Sequence, residues 1–351
     1  MSGVQSVLAS YVPLQTAFAV AHAITPFVSA YPWSSATGFG ARYANPGTLP
    51  AAAGKSIDFH PSGNSLAVGH DTTPFVSVYE WSSAGFGSKY ANPSTLPPAN
   101  AQGLSFSPDG NAIAMAVGIT IPNAVAYPWS NSTGFGTKYA NPSLTTANQG
   151  LSIAFNPTGT SIAIGTAGTP FVSAYPWSNS TGFGTRYSDP STPPVSNGFG
   201  VSFSPAGTEI VVAQSSSPFV VAYSWSDSTG FGTRYSNPAT LPPNASLAVS
   251  FSPDGSTVAF GNSEFPFVSA YAWSSSGFGT KYANPPLPYL GSVGRDVEFS
   301  PDGLAITVCS QSAFPAFIAY KWSNATGFGS AYSDPATFPN GISYALSFKP
   351  A

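Results

Sequence analysis

Apolar and polar positions alternate with period 2 through most of this chain, in short runs cut apart by turn residues. Between Gly150 and Pro190 the run Leu151-Ser-Ile-Ala-Phe155 meets a turn, Asn156-Pro-Thr-Gly159, and a second run follows, Ser161-Ile-Ala-Ile-Gly165. A third run spans Pro170 to Trp177. Past the turn cluster Ser178-Asn-Ser-Thr-Gly182 comes a fourth, outer one, Phe183-Gly-Thr-Arg-Tyr187. Alternation, β-branched and aromatic residues and Gly/Pro/Asn punctuation predict four strands, and no segment carries a helical period of 3.6.

This unit is written seven times. The tryptophans, Trp33, Trp81, Trp129, Trp177, Trp225, Trp273 and Trp322, stand 48 residues apart, with 49 at the last interval. A four-stranded unit at such a period predicts an all-β, seven-bladed β-propeller with four antiparallel strands per blade, a single domain over residues 1–351. The first unit starts late, and the half-unit Ala345-Leu-Ser-Phe-Lys-Pro350 copies the first strand of a blade, so it is expected to close the ring. Tyr11-Val-Pro13 also falls in register with Phe59-His-Pro61, but its match is weaker.

The repeated residues have mechanical readings. Ser107-Pro-Asp-Gly110 and its copies suit a tight turn, because Pro presets φ, Asp accepts backbone hydrogen bonds and Gly tolerates positive φ. Pro precedes every Trp by seven residues and marks the start of the third strand. Tyr precedes every Trp by two, so the pair shares one strand face and is expected to pack between blades.

Composition narrows the picture. Charged residues are only 7% of the chain and the formal charge is −3, which gives no electrostatic reason for nucleic-acid binding. Cys309 is the single cysteine, so no intrachain disulfide forms. The apolar stretch Val7–Ala23 lacks preceding Lys or Arg and aligns with the next repeat, so it reads as structure and not as a signal peptide. No run is long enough for a transmembrane helix, so membrane insertion is not expected.

Phe-Ser-Pro-Asp-Gly, then an Ala/Val/Gly strand, then a strand ending in Trp resembles the WD-repeat propeller family over nearly the whole chain. Ser follows Trp where that family has Asp, and its Gly-His signature is missing, which puts the family's side-chain network in doubt. The wording Pro-Phe-Val-Ser-Ala-Tyr-Pro-Trp-Ser with Gly-Phe-Gly-Thr-Lys-Tyr-Ala-Asn-Pro is similar to propeller repeat proteins of tailed bacteriophages.

Candidate chemistry is sparse. His22, His60 and His70 are the only histidines; His22 and His70 occupy equivalent strand ends and read as polar residues facing a loop, with no further metal ligands in view. No catalytic motif or cofactor fingerprint is found, and the thirteen carboxylates read as scattered among turns and loops. The repeated charge is a ring of basic residues, each followed by Tyr: Arg42 and Tyr43, Lys89 and Tyr90, Lys138 and Tyr139, Arg186 and Tyr187, Arg234 and Tyr235, Lys281 and Tyr282. These are candidate rim sites for a sugar or anion; the plainer reading is a basic guard on an exposed outer strand.

The loops after the outer strand and between the second and third strands vary most, and both sets emerge on one face, a usual binding layout. The expectation is therefore a non-enzymatic interaction or structural module of a phage virion, in the particle or outside the cell. It would need no metal or cofactor and would meet other virion or host-surface proteins. The alternative is a multivalent glycan-binding lectin. A lactonase-like or quinoprotein-like enzyme ranks last, since ligands at the central channel are not evident.

Overall fold

The computed structural model describes residues 16–119, 121–143, 148–312, 314–339 and 341–350. Their regular structure is entirely β: seven four-stranded antiparallel sheets, the blades of a propeller. In blades 2 to 7 the innermost strands are Gly54–Phe59, Ala101–Phe106, Gly150–Phe155, Gly198–Phe203, Ser246–Phe251 and Gly294–Phe299. Each touches the next in that order around a central channel.

Blade 1 is assembled from both ends of the fold. Its sheet runs Ser343–Phe348, Thr16–His22, Val28–Ser34, Gly38–Phe39, with Phe18 paired to Phe348 and Ala21 to Ala345. The C-terminal strand thus closes the ring, touching the inner strands of blades 2 and 7. The competing segment, Tyr11–Pro13, lies outside the described residues.

Aromatic packing explains the tryptophan period. Trp81 is buried among Phe59 of its own inner strand, Phe86 of its outer strand and Tyr43 of the preceding blade, with ring centroids 5.0, 5.0 and 5.2 Å away, all edge-on. Such contacts add about 0.5–1.5 kcal/mol each beyond area burial. In blade 1 the closing strand supplies the inner partner, Phe348, 5.3 Å from Trp33. The Tyr two residues before each Trp is fully buried, and in blades 1, 2, 3, 5 and 7 its hydroxyl donates to a carbonyl of the previous blade's loop, as Tyr79 does to that of Thr48 at 2.9 Å. Gly182, at φ +77°, shows why glycine opens the outer strand: a Cβ there would lie 2.8 Å from the Tyr139 side chain.

The outer strands depart from expectation in part. Gly230–Arg234 and its counterparts in blades 2, 6 and 7 run five residues, whereas those of blades 1, 3 and 4 have only two, as Gly182–Phe183 does. In these three the residue before Trp is proline: Pro32, Pro128 and Pro176. Proline has no N–H to give the ladder, so pairing with the outer strand lapses there.

Candidate active site at the channel mouth

Each inner strand shifts register at its second residue; in blade 2, Gly54 pairs His70 and Ser56 pairs Gly69, leaving Lys55 unpaired. The same bulge falls at Gln102, Leu151, Phe199, Leu247, Arg295 and Tyr344. A bulge re-aims the extra residue's side chain. All seven residues line one cavity of about 190 Å³ at the end of the channel where the inner strands begin. That is smaller than the roughly 300–1,000 Å³ of drug-sized ligand sites, so it suits a small molecule.

The cavity opens on the face of the variable loops. The second-to-third-strand loops hydrogen-bond the segments leading into the inner strands, as Asp71 N–H does to the Ala53 carbonyl and Gln311 N–H to that of Val293. Those loops also steady the cations. Lys55 Nζ lies 3.2 Å from Asp71 Oδ2 and 3.9 Å from the centre of the Tyr344 ring. Arg295 Nη2 donates to Gln311 Oε1 at 2.9 Å, while its buried Nε has no hydrogen-bond partner.

Carboxyls line the same half of the channel. Asp296, one residue past Arg295, is the one carboxyl among the described residues lining the cavity. Its Oδ2 accepts from Leu346 N–H of the closing strand at 2.8 Å and its Oδ1 from Val297 N–H at 2.9 Å. Two positions further along the inner strands, Asp58 accepts from Phe106 N–H at 2.8 Å and Glu298 from Phe348 N–H at 3.0 Å. Between them Ser347 Oγ accepts from Phe59 N–H at 3.2 Å. Each side chain thus ties its blade to the next.

Burial dominates their protonation. Protein surrounds Asp58 and Asp296 on the channel wall, and desolvation pushes both up to about 7 against the opposing pull of those N–H bonds. Glu298 is pushed well above the usual carboxylate range by desolvation, then by the charges of Asp296 and Asp58. At neutral pH Asp58 and Asp296 are about half-protonated; Lys55 is paired with Asp71, while Arg295 hydrogen-bonds the neutral Gln311.

No protein-family model and no curated protein matches the chain. Its fold resembles solved structures. One is the periplasmic gluconolactonase of Pseudomonas aeruginosa, at 15% identity and TM-score 0.73, covering 95% of this chain and 99% of that one. Another is a candidate 6-phosphogluconolactonase of Bacteroides uniformis, at 12% and 0.73 with the same coverage. A third, a protein of Lactobacillus plantarum, has 14% identity and TM-score 0.74, again covering 95% and 99%. At these identities the likeness establishes the seven-bladed fold.

These findings correct the expectation of a non-enzymatic virion module. The neighbours that carry an activity in their names are lactonases, and the glycan-binding alternative gains nothing from them. Neither the WD-repeat nor the phage resemblance finds support, and a virion location has none; no helix among the described residues is long and apolar enough to cross a membrane. The physical reason for the correction lies in the channel. Three of the carboxyls taken as scattered, Asp58, Asp296 and Glu298, stand on inner strands of the two blades flanking the closing strand.

The rim residues occupy other places. Arg42, Lys89, Lys138, Arg186, Arg234 and Lys281 each bond an Asn or Asp three residues on, as Arg234 does to Asn237 at 3.1 Å and Lys281 to Asn284 at 3.0 Å. Tyr43, Tyr90, Tyr139, Tyr187, Tyr235 and Tyr282 turn their ring edges to the next blade's Trp. The structure keeps the six pairs apart, one per blade. His22 and His70 are fully buried, bonded to Ser29 and Ser77 at 3.0 and 3.2 Å, and His60 bonds the Gly110 carbonyl at 2.9 Å. Among the described residues no group of three or more His, Cys, Asp or Glu could hold a metal.

Proposed function

We propose that the chain is a hydrolase that opens small lactones or related esters at the channel mouth. The observation that carries this reading is the pairing of Asp296, half-ionised near neutral pH, with the adjacent Arg295 guanidinium in one small cavity. A base poised near the working pH combines availability with driving force. In this scheme Asp296 takes a proton from water, and the water oxygen attacks the ester carbonyl. Arg295 stabilises the oxyanion, a term worth roughly 3–4 kcal/mol per donor in comparable sites. The C–O bond of the ring then breaks, and its oxygen takes the proton back to give the open hydroxy acid. The lactonase names of the structural neighbours agree with this chemistry.

The test is a panel of five- and six-membered lactones and aryl esters, with hydrolysis followed by proton release. Asp296→Asn and Arg295→Met are expected to lower kcat/KM at least a hundredfold with unchanged circular dichroism. Absence of turnover across the panel, or full activity in both variants, overturns the reading.

A further inference from the structure

Where the inner strands end, one repeated chain of hydrogen bonds ties blade to blade. In blades 3, 4, 5 and 7 the indole Nε1 of Trp donates to the Asn or Asp two residues on. That residue bonds the inner turn of the preceding blade, as Asn179 does to Asp109 and Asn324 to Asp254. Its carbonyl accepts the hydroxyl of the preceding blade's rim tyrosine, as Asn179 does from Tyr139 at 2.6 Å. In blades 2 and 6 the turn after Trp is one residue shorter, Trp81-Ser-Ser-Ala-Gly85 and Trp273-Ser-Ser-Ser-Gly277 against Trp177-Ser-Asn-Ser-Thr-Gly182, and both lose this chain. The junction of blades 1 and 2 has substitutes: Tyr79 donates to the Thr48 carbonyl, Phe59 N–H to Ser347 Oγ, and Lys55 lies over the Tyr344 ring. The junction of blades 5 and 6 has none. Trp273 Nε1 is buried without a partner, the Tyr271 hydroxyl makes no bond to blade 5, and Ala206 stands where other blades place Asp109 or Asp254. Among the described residues no side-chain hydrogen bond or ion pair joins these two blades. Tyr235 and Trp273 keep their ring contact, at 5.5 Å the longest of the seven.

We infer that the ring opens first between blades 5 and 6. Packing alone closes this seam, through an apolar cluster that includes Val211, Ala222, Phe251, Phe260, Tyr271 and Trp273. Each hydrogen bond missing from it weighs roughly two- to tenfold in an opening equilibrium. The indole N–H of Trp273 even gains a partner when the seam parts, because water then reaches it. Elements with the fewest ties open locally while the rest of a fold stays intact. The inner strands of the two blades are neighbours, and their bulge residues, Phe199 and Leu247, line the cavity on either side of the seam. Opening therefore parts the cavity wall there and leaves Arg295, Asp296 and the closing strand in place. The inference does not depend on what the cavity binds or turns over.

The test is thiol labelling of the intact folded chain without denaturant, in a Cys309→Ala background. Ala174, Ala222 and Ala270 hold the same third-strand position in blades 4, 5 and 6, and each is fully buried against the next blade. Ala174→Cys, Ala222→Cys and Ala270→Cys, made one at a time, each report the opening of one seam. Ala222→Cys is expected to react with a disulfide reagent at least tenfold faster than the other two, with circular dichroism unchanged. Ala206→Asp and Ser275→Asn, with one threonine inserted after Ser276, write the missing bonds back. Together they slow labelling of Ala222→Cys at least fivefold and leave Ala174→Cys unchanged. Equal rates at the three positions, a faster rate at Ala174→Cys or Ala270→Cys, or no slowing by the restored bonds overturns the inference.

Discussion

Tyr332 of blade 7 lies edge-on against Trp33 of blade 1, ring centroids 5.0 Å apart, and its hydroxyl donates to the Ser35 carbonyl at 2.7 Å. Six equivalent Tyr–Trp contacts join the other successive blades. The seam where the two ends of the fold meet is thus fastened on its outer side like every other junction. Tyr332→Phe is expected to cost about 1 kcal/mol, one net hydrogen bond. Trp177→Ala, which empties a buried aromatic cage, costs roughly 3–5 kcal/mol. Guanidinium denaturation followed by far-ultraviolet circular dichroism measures both, and a near-zero loss for Trp177→Ala contradicts its packing role.

The proposed hydrolysis sets a pH dependence through Asp296. With its carboxylate as the active form, kcat/KM is expected to rise with pH through about 7 and to level off above it. Asp296→Asn flattens this limb. A wild-type profile already level at pH 5 assigns the base elsewhere.

His22 and His70 make the fold acid-sensitive. Burial lowers both from 6.5 to about 4. Since their folded values are depressed, the stability they permit is complete above about 6.5 and is lost as pH falls toward 4. In blades 5 and 6 the same strand-end position holds buried Gln214 and Asn262. His70→Gln is therefore tolerated, and on going from pH 7 to pH 4.5 it loses roughly 2–3 kcal/mol less stability than wild type, at about 1.4 kcal/mol per pKa unit. Paired urea titrations at the two pH values decide this; an unchanged difference refutes it.

Removing residues 343–351 takes Tyr344 from the cavity, the acceptor Ser347 from Phe59, and the N–H partners of Asp296 and Glu298 from the channel. It also uncovers the edge of strand Thr16–His22. The truncated chain is expected to associate through that edge and to hydrolyse no lactone. Gel filtration with a proton-release assay checks both, and a monomer with full turnover contradicts the closure.

Much of the fold was legible because its signals repeat. Seven copies of Trp with Tyr two residues ahead average out local noise, and the closing half-unit Ala345–Pro350 matched a strand it replaces. The length of the outer strands was also within reach, since Pro32, Pro128 and Pro176 are visible in the chain. The channel site was missed for the opposite reason. Its residues are those that break the repeat: Lys55 and Arg295 where other units have Gln, Leu, Phe or Tyr, and Asp58 and Glu298 where they have Ser or Ala. Aligning second and fifth positions of the inner strands exposes them. The raised protonation of Asp296 stayed hidden, because it comes from protein that only the closed ring places around it.

The cavity wall joins residues near position 55, near position 295 and at position 344. During synthesis the first of these leaves the ribosome long before the last, so the cavity is incomplete on the nascent chain. On the proposed reading, activity arrives in one step, when the strand Ser343–Phe348 slots in, and turnover would report completed folding.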